Sequence, residues 1–150
     1  MPQSLANIYI HLIFSTKERV PSLANEMRPE LHAYMATVLA NLNSPAVLIN
    51  SVEDHVHILF NMGRTVTLAQ VVEDVKKSSS KWVKNQSSKL ASFAWQAGYG
   101  GFSVSASNVP SVTSYVRNQE EHHRTKSFQE EFRVFLRKHE IEYDERYVWD

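Results

Sequence analysis

The sequence predicts an α+β fold: a ferredoxin-like, RRM-like antiparallel sheet with element order βαββαβ, followed by two additional C-terminal helices. Short runs of β-branched and aromatic residues alternate with segments whose apolar residues recur at helical spacing. The elements come in the order strand, helix, strand, strand, helix, strand, which is the order of this fold. The chain has 150 residues, 43% of them hydrophobic. We therefore expect one domain over residues 1–150.

The first half of the chain contains the predicted hairpin of the sheet. Residues 7–15 are β-branched and aromatic, which is typical of a buried strand. Apolar side chains recur every three or four positions over residues 26–42 and predict an amphipathic helix. Residues 46–52 and 55–62 predict two strands joined at Glu53-Asp54.

The second half is predicted from capping residues and from a glycine-rich segment between two short apolar runs. The predicted elements are a helix after Thr67 and, at 93–95 and 102–105, either short strands or one strand with a bulge. They are followed by a helix from Asn108 (its cap) to about His123, and a helix from Phe128 to about His139 capped by Ser127.

The charges balance overall but not along the chain. There are 16 basic and 16 acidic residues, which gives a formal net charge of zero. Residues 75–119 nevertheless contain six basic residues and no acid. Lysines among serine and asparagine suit a phosphate backbone, because both side-chain types bond phosphate oxygens. The candidate nucleic-acid contacts are Lys76, Lys77, Lys81 and Lys84. The alternative is a solvated helix face.

His55 and His57 are separated by one residue in a predicted strand. Side chains two apart on a strand point to the same face, so both imidazoles would lie on one side of the sheet. Two neutral imidazoles at that spacing can share one metal ion. The alternative is a pair of ordinary core or surface histidines.

Tyr115, Gln119 and His122 share one face of the helix predicted after Asn108. Tyr115 alone would be read as a core residue with a satisfied hydroxyl. A tyrosine hydroxyl, with a pKa near 10, is a poor nucleophile at neutral pH. It can attack a phosphate if a metal polarises that phosphate. A Gln carbonyl beside two His nitrogens suits Mg²⁺ or Mn²⁺, although imidazoles also accept Zn²⁺.

Several classes of protein are excluded or disfavoured. The chain has no cysteine, which excludes disulfides, thiolate metal sites and cysteine nucleophiles. We see no signal peptide and no apolar stretch long enough for a membrane span, so we expect no membrane partner and a cytoplasmic location.

Several motifs together resemble the HUH superfamily, and in particular the single-tyrosine transposases of small insertion sequences that move as single-stranded DNA. Their relatives, the transposases associated with repetitive extragenic palindromes (REP), are similar too. The motifs are Tyr9-Ile-His-Leu-Ile-Phe-Ser-Thr-Lys17, Asp54-His-Val-His-Ile-Leu-Phe60, Gly98-Tyr-Gly-Gly-Phe-Ser-Val-Ser105, Tyr115-Val-Arg-Asn-Gln119 with Glu121-His-His123, Ser127-Phe-Gln-Glu-Glu-Phe132 and Glu142-Tyr-Asp-Glu-Arg-Tyr147. The resemblance covers nearly the whole chain, which would then be a single HUH transposase domain.

The resemblance implies a mechanism and a set of partners. Tyr115 would be the nucleophile that cleaves single-stranded DNA and forms a covalent 5′-phosphotyrosine. His55, His57 and Gln119 would hold the divalent ion, Mg²⁺ or Mn²⁺. The family recognises DNA hairpins near element ends, which makes the lysines named above DNA-binding candidates. We also expect a homodimer with shared active sites, associated with the nucleoid when bound to DNA.

Three alternatives stay open at this point. The chain could be a non-catalytic single-stranded nucleic-acid-binding module, since ferredoxin-like sheets commonly bind single strands. It could be a metal hydrolase that uses water as the nucleophile. It could also be a host-domesticated relative of the transposase, which the sequence does not separate from a mobile one.

Overall fold

The computed structural model describes residues 2–150, and its centre is a four-stranded antiparallel sheet. The strand order is β2-β3-β1-β4, so β1 lies between β3 and β4. The strands are β1 (Tyr9–Ser15), β2 (Ala46–Ser51), β3 (His55–Asn61) and β4 (Gly100–Val104). With the helices between them, they confirm the predicted βαββαβ arrangement.

Five α-helices lie in residues 2–150: α1 (Arg28–Asn41), α2 (Leu68–Lys84), α3 (Val109–Arg117), α4 (Gln119–Thr125) and α5 (Phe128–Lys138). Thr67, predicted to precede α2, caps it, and the predicted Ser127 cap of α5 also forms. The Thr67 hydroxyl accepts a hydrogen bond from the backbone N–H of Gln70 (3.1 Å) at the start of α2. The Ser127 hydroxyl accepts one from Glu130 (3.2 Å) at the start of α5. A hydroxyl cap satisfies a backbone donor that the first helical turn leaves free.

The alternation of side chains along the strands divides the apolar residues into two clusters. Leu12 and Phe14 of β1 join the larger cluster, which α1 and α2 cover from one side. Ile13 points to the opposite face and joins a smaller cluster with Phe102 of β4 and three side chains of α5. The same alternation sends Val56 of β3 into the larger cluster, and His55 and His57 towards the other face.

The prediction of a strand at residues 93–95 is wrong, since this segment is not a strand of the sheet. Phe93 and Trp95 are buried in the larger cluster, and Trp95 forms only an isolated bridge with Thr16 in the described residues. The side-chain oxygen of Gln96 accepts the hydrogen bond of the Ser15 backbone N–H (2.8 Å). Because a side chain takes the backbone donor at this point, the strand ladder does not continue.

The helix predicted from Asn108 to about His123 is interrupted at Asn118, so α3 and α4 are separate. In one continuous helix the carbonyls of Val116 and Arg117 would accept bonds from the following turn. Here the Asn50 side chain of β2 donates to both carbonyls, at 2.9 and 3.1 Å. Asn108, predicted to cap α3, instead ends a short 3₁₀ turn and makes no side-chain cap within residues 2–150.

Among the described residues, we find no helix with both the length and the apolar character needed to cross a lipid bilayer.

Candidate active site

The imidazoles of His55 and His57 lie side by side beneath the layer formed by α3, α4 and α5. Both side chains are buried, and their ring centroids are 5.3 Å apart. This confirms that the one-residue spacing places both rings on one face of β3. In the sheet, His57 pairs with Ile13 of β1. The Nδ1 atom of His57 lies 2.8 Å from Nε2 of His11, which is also on β1.

Glu131 of α5 joins the two rings. Its Oε1 lies 2.9 Å from Nε2 of His57 and 3.4 Å from Nε2 of His55. Only 5% of the Glu131 surface is exposed. The other ring nitrogen of His55, Nδ1, lies 2.7 Å from a carboxylate oxygen of Asp54. The two Nε2 atoms therefore lie beside a common carboxylate.

Tyr115 reaches the same carboxylate from α3. Its hydroxyl donates a hydrogen bond to Oε2 of Glu131. Its ring centroid is 5.9 Å from that of His57, and it stacks on His122 at 4.4 Å. Tyr115 and His122 therefore share a helical face as the sequence predicted, even though the helix breaks between them.

Gln119, the first residue of α4, is fully buried. Its side-chain amide donates to the backbone carbonyl of Tyr115 (3.3 Å). Its oxygen, Oε1, has no hydrogen-bond partner in the described part of the chain, and neither has Nε2 of His55. We refer to His55, His57, Tyr115, Gln119 and Glu131 as the active-site cluster.

Burial and the carboxylates set the protonation states of the cluster. Burial would lower the pKa of His55, but Asp54 and Glu131 outweigh it and raise that pKa to about 9. Burial dominates at His57 and lowers its pKa. Burial would raise the pKa of Glu131, but the two histidines hold it well below its usual range. Burial, together with the Glu131 charge, raises the pKa of Tyr115 well above its ordinary value. The tyrosine is therefore held as the neutral phenol in this arrangement.

The donor atoms of the cluster fit a divalent cation. An unpartnered buried polar atom costs roughly 1–3 kcal/mol, so Nε2 of His55 and Oε1 of Gln119 are costly unless a bound group satisfies them. One nitrogen of each of His55 and His57 and one oxygen of Glu131 lie within 4.8 Å of one another. Two imidazoles, a carboxylate and an amide oxygen are ligands that Mg²⁺, Mn²⁺ and Zn²⁺ accept.

The four lysines singled out in the sequence lie on α2, on the opposite face of the sheet from the active-site cluster. Lys77, Lys81 and Lys84 are exposed. Lys76 is half-buried, and its ammonium donates to the three backbone carbonyls of residues 96–98 at 2.6–3.2 Å. Burial lowers the pKa of Lys76 to about 8. The Lys76 ammonium therefore holds the segment before β4 in this structure.

Sequence reasoning missed three residues of the site: Glu131, His11 and Asn50. A signal for Glu131 was present, since it stands three residues after Phe128 and one before Phe132, within the apolar stripe of α5. An acidic residue at such a position needs a buried partner. For His11 and Asn50 the local sequence gives no signal, because their partners His57 and Val116 are 46 and 66 positions away and meet them only in the folded chain.

Comparison with known structures supports the fold. A crystal structure of a transposase candidate from Deinococcus radiodurans R1 matches with a TM-score of 0.62 and 20% identity, over 79% of this chain and 98% of that one. A REP-associated tyrosine transposase bound to a REP hairpin matches with a TM-score of 0.58 and 11% identity, over 82% of this chain and 74% of that one. At these identities the matches establish the architecture alone.

Comparison with curated protein sequences gave no match. The model of one protein family, described as "Transposase IS200 like", does match, and it covers residues 4–119. That range contains both histidines of β3, Tyr115 and Gln119. Since it spans more than half of the chain, this protein belongs to the family of IS200-like transposases.

Proposed function

We propose that this transposase cleaves and rejoins single-stranded DNA through a covalent 5′-phosphotyrosine at Tyr115, with Mg²⁺ or Mn²⁺ held by His55, His57 and Gln119. One observation carries the proposal: the Tyr115 hydroxyl and the Nε2 atoms of both histidines meet at one carboxylate. A nucleophile and a set of metal ligands so close together can act on the same phosphate.

In the cleavage step the Tyr115 oxygen bonds to the phosphorus, and the bond from phosphorus to the 3′ oxygen breaks. The 3′ oxygen leaves as a hydroxyl, and the hydroxyl proton of Tyr115, directed at Glu131 in this structure, is lost. A divalent ion held by His55, His57 and Gln119 would polarise the phosphate and stabilise the charge that develops. In the joining step another 3′ hydroxyl attacks the phosphotyrosine and releases Tyr115. The bonds broken and formed are alike, so the exchange needs no external energy source.

A cleft of about 310 Å³ beside Tyr115 gives the DNA access to the nucleophile. It is lined by Tyr115 and Phe135, and by two exposed lysines, Lys126 and Lys138. An aromatic wall can stack on an unpaired base, and lysines attract the phosphates that flank it. We therefore assign this cleft to the nucleotides next to the scissile phosphate.

We further propose that DNA hairpins are the recognised feature, because the similar REP-associated transposase is described as bound to a REP hairpin. Of the lysine candidates on α2, Lys77, Lys81 and Lys84 are free to contact phosphates outside the cleavage site. Lys76 would have to release the three carbonyls of residues 96–98 to do so. These contacts would lie on a different face from the cleft.

The active form proposed here is a homodimer with shared active sites. In the structure a single chain supplies the whole active-site cluster. Sharing therefore requires α3 of each chain to leave its own sheet and to dock on the partner's. The hydrogen bonds from Asn50 to the carbonyls of Val116 and Arg117 would break in that exchange.

The test is transfer of a label from DNA to the protein. The chain is incubated with Mg²⁺ or Mn²⁺ and single-stranded oligonucleotides that carry the hairpins flanking its own gene. A label at the 3′ end of the strand should move onto the protein, and a label at the 5′ end should stay on a shorter strand with a 3′ hydroxyl. Tyr115→Phe should abolish the transfer. Tyr34→Phe, on α1 across the sheet, is the matched control and should retain it.

Other outcomes separate the alternatives. If the label still moved onto the Tyr115→Phe protein, Tyr115 would not be the nucleophile. Shorter strands without a labelled protein would indicate hydrolysis by water, and binding without cleavage a non-catalytic module. Mixing Tyr115→Phe with His57→Ala tests the shared site: restored transfer supports exchange of α3, and no restoration argues against it. Excision of a genetically marked element in cells separates a mobile transposase from a domesticated one.

A further inference from the structure

Glu131 is a buried carboxylate that the proposed chemistry does not yet use. It lies outside residues 4–119, the segment that the family model covers. Its side chain is on the apolar face of α5, between Phe128 and Phe132, both of which are buried. A carboxylate in such surroundings is costly unless it is paired. We therefore expect neighbouring groups to stabilise its charge.

The partners of Glu131 are ligand atoms. Oε1 lies 2.9 Å from Nε2 of His57 and 3.4 Å from Nε2 of His55. With ligand bonds of about 2.1 Å, these separations correspond to ligand–metal–ligand angles of roughly 90° and 110°. Such angles are usual for octahedral and tetrahedral ions. One ion could therefore replace the contacts between Oε1 and the two nitrogens without a large movement of the side chains.

The orientation of His55 supports the same arrangement. Its Nδ1 lies 2.7 Å from Asp54, and an imidazole that donates Nδ1–H to a carboxylate keeps Nε2 free to bind a metal. That Nε2 is buried and, within residues 2–150, has no hydrogen-bond partner. Oε1 of Glu131 lies 3.4 Å from it but makes no hydrogen bond to it.

We propose that Glu131 is a further protein ligand of the divalent ion, and that it binds through Oε1. This inference rests on the metal site of the proposed function and deepens it. Because Oε2 accepts the hydrogen bond of Tyr115, the same carboxylate fixes the distance between the ion and the nucleophile. A site that includes a carboxylate also suits a hard ion such as Mn²⁺ or Mg²⁺ better than a site of nitrogen ligands alone.

The test measures binding of Mn²⁺ to the full chain without DNA, by calorimetry and by the loss of the free-ion signal in electron paramagnetic resonance. Glu131→Gln keeps the shape of the side chain and removes its charge, and should weaken Mn²⁺ binding by at least about tenfold. Glu130→Gln makes the same change one residue away on the exposed side of α5, and should leave binding unchanged. Glu131→Asp keeps the charge on a shorter side chain and should bind with intermediate strength.

The results distinguish this inference from the proposed function. Wild-type affinity in folded Glu131→Gln would overturn the role of Glu131 and leave the other ligands standing. If the wild-type chain binds no Mn²⁺, both the role of Glu131 and the metal site are wrong. If Glu131→Gln does not fold, Glu131→Asp decides: affinity equal to that of the wild type overturns the inference. A rise in melting temperature on adding Mn²⁺, reduced in the Glu131 variants alone, provides a second readout of binding.

Discussion

His55 and His57 owe their orientation to the groups on their second ring nitrogens. Asp54 holds Nδ1 of His55, and Nε2 of His11 lies 2.8 Å from Nδ1 of His57. If Nε2 of His57 donates to Glu131, its Nδ1 accepts from His11, and this tautomer satisfies both contacts. A metal on Nε2 of His57 requires the opposite tautomer, with Nδ1–H donating to His11. Metal binding would thus reverse the hydrogen bond between two strands.

Sequence spacing predicted part of this geometry. The spacing of two along β3 was enough to place both rings on one face, because alternate side chains of a strand point to the same side of the sheet. The partner of each ring could not be predicted in the same way. Glu131 is 74 positions from His57 and reaches it only because α5 folds back over the sheet.

His32 gives a pH-dependent contribution to stability that is separate from the active site. Burial, with the Arg28 charge nearby, lowers its pKa from the usual 6.5 to about 4. The unfolded chain therefore binds a proton between pH 6.5 and 4 that the folded chain does not. The free energy of unfolding should fall over this window as the pH is lowered, by on the order of 1–2 kcal/mol once partial exposure is allowed for.

Urea unfolding of the wild type and of His32→Gln at pH 8 and at pH 4.5 checks this expectation. Glutamine keeps a polar group near Ser51, whose hydroxyl lies 2.7 Å from the His32 ring. The variant should lose less stability than the wild type between the two pH values. Equal losses would show that His32 does not contribute to the acid sensitivity.

At the scale of elements, the break between α3 and α4 was beyond local sequence reasoning. Spacing correctly predicted a helix that carries Tyr115, with Pro110 in its first turn. It could not predict the end of that helix, because the Asn50 side chain that takes two of its carbonyls comes from β2. Lys76 is a similar case, since its three carbonyl partners follow it by 20 to 22 positions.

The docking of α5 depends on a glycine. A Cβ atom at Gly100 of β4 would lie 2.5 Å from a ring carbon of Phe132, which cannot move aside within the packed cluster. Gly100→Ala should therefore lower the free energy of unfolding by about 1–3 kcal/mol. At Gly101 the nearest atom would be the end of the flexible Leu68 side chain, at 2.8 Å. Gly101→Ala is the control.

Urea unfolding followed by tryptophan fluorescence measures both glycine variants. Trp149 is a suitable reporter, because its ring centroid is 6.0 Å from that of Phe132. We expect Gly101→Ala to stay within about 1 kcal/mol of the wild type. If both variants lose the same stability, the close approach of Phe132 to Gly100 does not limit the docking of α5.

At the scale of the whole molecule, the zero net charge hides two separate basic regions. Lys77, Lys81 and Lys84 are exposed on α2, whereas Lys126 and Lys138 line the cleft beside Tyr115. The sequence showed the first region as a block without acids. It gave no comparable sign of the second, because acidic residues surround both lysines along the chain and only the fold brings them together.

Paired charge reversals separate the roles of the two regions. Lys77→Glu with Lys81→Glu should weaken hairpin binding and reduce the slope of log affinity against log salt by roughly 2, since each lost phosphate contact removes about 0.9. Lys126→Glu with Lys138→Glu should instead slow label transfer to Tyr115 on an unpaired strand. Titrations at several salt concentrations and a time course of transfer provide the two measurements. An unchanged salt slope in the first pair would exclude α2 from the DNA interface.

The unequal size of the two hydrophobic clusters has a kinetic consequence. The α1–α2 side of the sheet holds the larger cluster, whereas α5 is fixed by the smaller one around Ile13 and Phe102. Local opening costs less where fewer buried apolar side chains must separate. Amide hydrogens of α5 should therefore exchange with deuterium through partial opening, faster than those of β1 and β3. Each such event would lift Glu131 away from the histidines, so the rate of this opening would set how long the proposed metal ligands and Tyr115 stay together.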